Sequence, residues 1–230
     1  MKIKIYPCIT TTKNNWEDNF LQINKLKLEE VCLFPTCLTY EKRKLFYKFL
    51  ENSTIKRIPL VHARHDFHSQ ELVYFIKNYH TRFFNIHSQR KKDYLLKNSL
   101  SSYKKKYILL ENTSYLLREE LGDYLGICLD FAHLENHRLK NNKVYFNKFT
   151  KELKDFPVMA AHLGAIYPDK SHGWDGKSHD SHYFDDLKRL DYVKRYKDFS
   201  PEVISLELEN TIEEQLEAIN YLSKNIFNEH

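Results

Sequence analysis

Tyr107-Ile108-Leu109-Leu110-Glu111 is a short apolar run closed by a single carboxylate. Side chains alternate along an extended chain, so Leu109 and Glu111 share one face. If Leu109 faces a core, Glu111 stands where that core meets solvent. The same arrangement recurs along the chain. Arg57–His62, Arg82–His87, Gly126–Asp130 and Pro157–His162 are apolar runs that end in a histidine or a carboxylate. Phe83, Asn85 and His87 share a face in the second of them. Ile3–Ile9, Glu30–Phe34 and Val203–Glu209 complete a set of eight strand candidates.

Polar stretches with helical periodicity separate the runs, Gln70–Asn78 and Phe184–Tyr196 among them. Thr211 and Glu214 have capping-box spacing ahead of Leu216, Ile219 and Leu222, which predicts a final helix. Eight β/α units in 230 residues predict an α/β fold, a single (β/α)8 TIM barrel over residues 1–230. The alternative is a doubly wound open sheet, which normally carries a Gly-rich first turn. Here strand one runs into Tyr6-Pro7-Cys8-Ile9-Thr10-Thr11, and no G-x-G-x-x-G or P-loop occurs in the chain. With 5 Gly and 6 Pro the chain shows no Gly-rich linker between domains.

Hydrophobic residues make up 42% of the chain, enough for one sizeable core. The net charge of +5 is a mild excess, which permits a polyanionic partner without demanding one. No apolar run approaches the roughly 20 residues of a membrane span, and Met1-Lys2-Ile3-Lys4-Ile5 lacks the apolar core of a signal peptide. A cytoplasmic protein with no membrane partner is expected. Cys8, Cys32, Cys37 and Cys128 form no C-x-x-C pair, and three of them fall in apolar runs, as buried reduced thiols do.

A barrel gathers the carboxyl ends of its strands around one rim. His62, His87, Glu111, Asp130 and His162 would therefore converge there, joined by His133 after strand six and by Glu207 and Glu209 of strand eight. So many ionisable groups in one crevice are costly, and bound metal offsets that cost. The loop His172-Gly173-Trp174-Asp175-Gly176-Lys177-Ser178-His179-Asp180-Ser181-His182 follows strand seven. Asp180 and His182 lie one residue apart and can reach one ion from an extended loop. The glycines near His162 suggest local flexibility. Lys170, Lys177 and the run Arg90-Lys91-Lys92 are candidate phosphate contacts. The roles of His65, Asp66, His172 and His179 stay open, as does the oligomeric state.

Five phrases carry a family resemblance: Leu110-Glu111-Asn112-Thr113, Gly126-Ile127-Cys128-Leu129-Asp130-Phe131-Ala132-His133, Ala161-His162-Leu163, Asp180-Ser181-His182 and Ile204-Ser205-Leu206-Glu207. In strand order they resemble the xylose-isomerase-like TIM-barrel superfamily, and within it the endonuclease IV (AP endonuclease family 2) group. The resemblance implies nine metal ligands: His62, His87, Glu111, Asp130, His133, His162, Asp180, His182 and Glu207. It implies a cluster of up to three ions, usually zinc, with Glu111 bridging. Two features depart from the group: the chain is shorter, and Ser88-Gln89 stands where the group has Pro-Gly after this histidine. Glu209 has the same parity as Glu207; Ile-Ser-Leu-Glu, common at strand eight in the superfamily, favours Glu207.

The implied activity is metal-dependent hydrolysis of DNA at abasic or damaged sites, with Glu111 and Glu207 catalytic. The sugar-isomerase branch uses only Glu111, Asp130, His162 and Glu207, around one Mn²⁺ or Mg²⁺, and acts on a small sugar or polyol. There Glu111 and Glu207 would exchange a proton at carbon. A binding or regulatory barrel that retains the ligands without the chemistry is the third reading.

Overall fold

The computed structural model describes residues 3–13, 16–89, 96, 100–113, 116, 118–173 and 175–227. Among them, nine strand segments form one parallel sheet, and the order of the segments makes it a nearly closed barrel. The two ends of the order are Lys4–Tyr6 and Cys8–Thr10, which are consecutive in the chain and separated only by Pro7. Counted as one interrupted strand, they are strand one. Strands two to eight are Cys32–Phe34, Leu60–His62, Phe83–His87, Ile108–Glu111, Gly126–Asp130, Val158–Leu163 and Val203–Leu206.

Pro7 explains the change of partner within strand one. Lys4–Tyr6 pairs with strand eight, and Cys8–Thr10 pairs with strand two. Proline has no N–H to give to a ladder, so the chain switches neighbours there. The Pro7 carbonyl accepts from the Cys32 amide at 2.8 Å. The Cys8 amide turns outward to Gln215 Oε1 of the last helix, also at 2.8 Å.

Alternation divides the apolar residues into two cores. Leu60, Phe83, Leu109, Cys128, Ala160 and Val203 point inward and plug the barrel. Val61, Phe84, Leu110, Ile127, Ala161 and Ile204 point outward under the helices. Both sets are almost wholly buried, as a sheet covered on both faces requires. The outer helices include Glu17–Leu26, Tyr40–Glu51, Ser69–Tyr79, Phe131–Leu139, Lys143–Glu152 and Ile212–Asn225. The expected capping box is present: Glu214 N–H donates to Thr211 Oγ1 at 3.2 Å, and Thr211 N–H to Glu214 Oε2 at 2.8 Å. Cys8, Cys32 and Cys128 are buried free thiols, whereas Cys37 is exposed.

Three expectations are corrected in detail. Strand three begins only at Leu60, because Pro59 cannot donate and Arg57 makes a single bridge to Glu30. Strand eight stops at Leu206, where the Leu208 amide turns back to the Leu206 carbonyl at 2.9 Å. Phe184–Tyr196 forms a 3-10 helix over Leu187–Arg195 rather than an α-helix. Its buried Leu190 and Val193, with Tyr196 just beyond, recur every three residues, a spacing that three residues per turn aligns on one face. Among the described residues, no helix is long and apolar enough to cross a membrane.

Candidate metal centre

Strand register sets the rim. His62 pairs with Asn85, His87 with Glu111, and Asp130 with His162 across neighbouring strands. Each of these residues continues the inward face of its strand, one step above the apolar plug except His87, which stands one step higher, beyond Asn85. The result is a buried polar floor: Glu111 is 1% exposed, His162 1%, His62 2%, Asp130 3% and Glu207 3%.

Glu111 stands at the centre. His62 Nε2 lies 2.9 Å from Glu111 Oε2 and 3.1 Å from His87 Nε2. His87 Nε2 is 3.6 Å from Glu111 Oε1. His162 Nε2 is 3.8 Å from the same Glu111 Oε2, its ring centroid 5.5 Å from that of His62, and its Nδ1 is 2.6 Å from Glu207 Oε1. His133 Nε2 approaches from a third direction, 4.0 Å from Glu111 Oε1 and 3.8 Å from Asp130 Oδ2. Three groups of converging donors follow: His62, His87 and Glu111; Glu111, His162 and Glu207; Glu111, Asp130 and His133. Every group contains Glu111, and each could hold a metal ion.

The donors fit a cation better than they fit one another. Among the described residues, His62 Nδ1, both ring nitrogens of His162 and Glu207 Oε1 are buried without a hydrogen bond. His162 Nδ1 and Glu207 Oε1 nonetheless face each other at 2.6 Å as an imidazole–carboxylate pair, so they are partnered electrostatically though not aligned as a hydrogen bond. Buried polar atoms left without partners cost free energy, and a cation among them offsets that cost. Mixed imidazole and carboxylate donors suit a divalent ion.

Ionisation follows the same geometry. Burial alone would raise the Glu111 carboxyl, but the rings of His62 and His87 outweigh it and hold it well below the ordinary value. Burial pushes His87 down to about 4. It pushes Asp130 up to about 6 against the pull of His133. For His133, burial is outweighed by Asp130 and Asp180, and its pKa rises to about 10. Cys128 and Glu207 likewise outweigh burial at His162 and raise it well above its ordinary value, so the metal-free rim favours a proton on both His133 and His162 at neutral pH.

No protein-family model matches the chain, and neither does any curated protein. The placement of each expected ligand accordingly comes from the geometry. His62, His87, Glu111, Asp130, His133, His162 and Glu207 fall in the three groups. Asp180 stands behind His133, its Oδ2 2.8 Å from Nδ1, where it fixes the ring and leaves Nε2 facing Glu111. His182 packs edge-on against Phe34, with centroids 5.8 Å apart, and belongs to no group among the described residues. Glu209 turns away to Lys13 at 3.2 Å, so Glu207 is the strand-eight donor of the cluster. The run Arg90-Lys91-Lys92 and Trp174 lie outside the described residues.

The loop after strand seven is built to aim Asp180. Ala165–Ile166 pairs antiparallel with Asp180–Ser181. His179 is buried; its Nδ1 donates to the Tyr167 carbonyl at 2.9 Å, and its amide donates to Asn136 Oδ1 at 3.1 Å. It is a strut of the hairpin. His172 stacks on Tyr167, with rings 5.2 Å apart. Two of the three glycines here serve close packing, while Gly176 has open space around it and a φ of 64° that favours glycine. A Cβ on Gly164 would meet the Ser181 carbonyl at 2.9 Å, and one on Gly173 would meet the Ser178 carbonyl at 1.9 Å.

Two supporting residues escaped the sequence reading. Asn85 donates to Glu111 Oε2. Asn112 clamps Asp130 by accepting from its amide at 2.6 Å and donating to its carbonyl at 3.0 Å. The shared parity of Asn85 with Phe83 and His87 was a usable signal for the first. Asn112 stands in the phrase Leu110-Glu111-Asn112-Thr113, but nothing local in the sequence links it to Asp130.

Proposed function

We propose that the chain is a metal-dependent phosphodiesterase that hydrolyses DNA at abasic or damaged sites, as its resemblance to the endonuclease IV group implies, with zinc as the favoured metal. The observation that carries this reading is the sharing of Glu111 by three donor groups, an arrangement suited to adjacent ions. Divalent ions bound there would supply charge to offset a phosphate group and would acidify water. Glu111 holds the centre and is kept ionised by the rings around it. Asp180 orients His133, Glu207 abuts His162, and Asn85 restrains Glu111. The deep setting of these side chains keeps bulk water off the centre, which strengthens their electrostatic effect. The test is cleavage of an abasic-site duplex by ion-loaded protein, with activity falling steeply as salt rises. An inert protein carrying its full complement of ions would sink the reading.

A second reading, a single-ion isomerase of a small sugar or polyol, draws on two observations. Glu111, His162 and Glu207 are the most buried of the three groups and form a compact site by themselves. The basic run Lys104-Lys105-Lys106 precedes strand five and so lies at the end of the barrel away from the rim, where it cannot serve DNA. Solvent-deuterium exchange into candidate ketoses, with one Mn²⁺ or Mg²⁺ bound, distinguishes this reading from the first.

A further inference from the structure

A cavity of about 220 Å³ opens beside His62 and His87, with Thr36, Arg64, His65 and Ile86 in its wall. Arg64 is held from behind. Its Nη1 donates to the Thr36 carbonyl at 2.9 Å and more weakly to that of Leu38 at 3.4 Å. Its Nε lies 3.1 Å from Asp66 Oδ1 without hydrogen-bond alignment. Asp66 is in turn fixed by Arg43, whose Nη1 donates to it at 2.9 Å. Arg43 is fully buried and anchored twice on Glu71, at 2.7 and 3.0 Å. This chain of contacts presets the Arg64 guanidinium, while Arg64 Nη2 makes no hydrogen bond among the described residues.

A guanidinium presents a planar fork of donors that matches the oxygens of a phosphate. Ile86, itself only 2% exposed, contributes with Ala63 to an apolar part of the cavity wall, which suits the carbon side of an ester better than a bare anion. A volume near 220 Å³ is below the usual size of a whole ligand pocket, so it accommodates one group of a larger molecule.

We propose that this cavity is a subsite for a phosphate-ester group, in which Arg64 donates to a phosphate oxygen and Ile86 packs on the ester's organic part. The proposal deepens the phosphodiesterase reading and rests on it for the identity of the anion. Arg64 and Ile86 belong to no donor group, although His62 and His87, which also line the cavity, do.

The test is calorimetric binding of phenylphosphonate, which has no ester bond to cleave, alongside inorganic phosphate, to ion-loaded and ion-stripped protein. Phenylphosphonate is expected to bind more tightly than phosphate. Arg64→Gln is expected to weaken phenylphosphonate roughly ten- to a hundredfold with its ion content unchanged. Arg64→Lys, which keeps the charge but not the fork, is expected to fall between Arg64→Gln and the natural protein and guards against a folding defect in the first variant. Equal affinity in Arg64→Gln and the natural protein overturns the proposal, as does an absence of binding to the ion-loaded natural protein. Loss of ions from Arg64→Gln would make Arg64 a support for His62 and also overturn it. Arg64-dependent binding in a protein that takes up no ion would uphold the subsite and refute the metal reading alone.

Discussion

Two layers of the barrel interior lie two residues apart on the same strands and face the same way. The lower layer is Leu60, Phe83, Leu109, Cys128, Ala160 and Val203; the upper is His62, Asn85, Glu111, Asp130, His162 and Ser205. A step of two residues is only about 6.6 Å along a strand, yet it crosses from hydrocarbon and thiol to imidazole and carboxylate. Backbone and burial are nearly the same in both layers. What differs is the sign of the contribution to folding. The lower layer stabilises by removing apolar surface from water. The upper layer buries polar atoms, several without partners, and costs stability until something cationic joins it. One layer holds the barrel together, and the other gathers the groups that could hold a metal ion.

The contrast is best broken at Glu111. Glu111→Gln removes the carboxylate common to the three groups. Substitution of partners outside the metal's own ligands typically costs ten- to a hundredfold in affinity, so here a loss beyond roughly a hundredfold is expected in competition with a chelating dye. Little change in affinity would place the ions elsewhere. One layer down, Leu109→Ala is expected to lower unfolding free energy by about 2–5 kcal/mol in denaturant titrations, while ion content stays as it was. A Leu109→Ala protein that folds normally but loses its ions would dissolve the distinction between the layers.

A finer test uses protons. His133 is held near 10 in the metal-free rim, so it carries a proton at pH 7 that a metal ion must displace. His87 is held near 4 and is already neutral at that pH, so it releases none. Ion binding at pH 7 is therefore expected to release protons from His133 and from His162, whose ring Cys128 and Glu207 hold well above its ordinary value against burial, and the His133 share fades as pH rises through 10. Calorimetry in buffers of different ionisation enthalpy reads the number directly. Proton uptake, or release unchanged from pH 7 to 11, would contradict the assignment. The smallest effect is expected at Glu209, whose half-exposed pairing with Lys13 lies outside the cluster. Glu209→Gln should change stability by no more than about 0.5 kcal/mol and leave ion content intact. Glu207→Gln should reduce ion content.

Much of this centre was legible because strand parity and strand ends are local properties. Leu109 and Glu111 share a face whatever surrounds them, and a barrel brings such ends together. The same reasoning located His62, His87, Asp130 and His162 on one rim. It could not choose between Glu207 and Glu209, which share parity; the turn at Leu208 and the pull of Lys13 decide that in three dimensions. Nor could it place the loop after strand seven. Asp180 and His182 read as equal ligands, but the hairpin pairing sends the first behind His133 and the second against Phe34. Helices were legible where the apolar period was 3.6. Leu187–Arg195 was misread because its period is three. Pro7 was visible in the sequence, but its role in closing the barrel depends on which strands flank it.

The measurement that bears most directly on the central claim is the metal content of the purified, untagged chain by elemental analysis. With Glu111 shared among three donor groups, a value near three divalent transition-metal ions per chain is predicted. A value of one would contradict the shared-centre account and favour a single-ion site, and none after attempted reloading would contradict the claim that this rim binds metal.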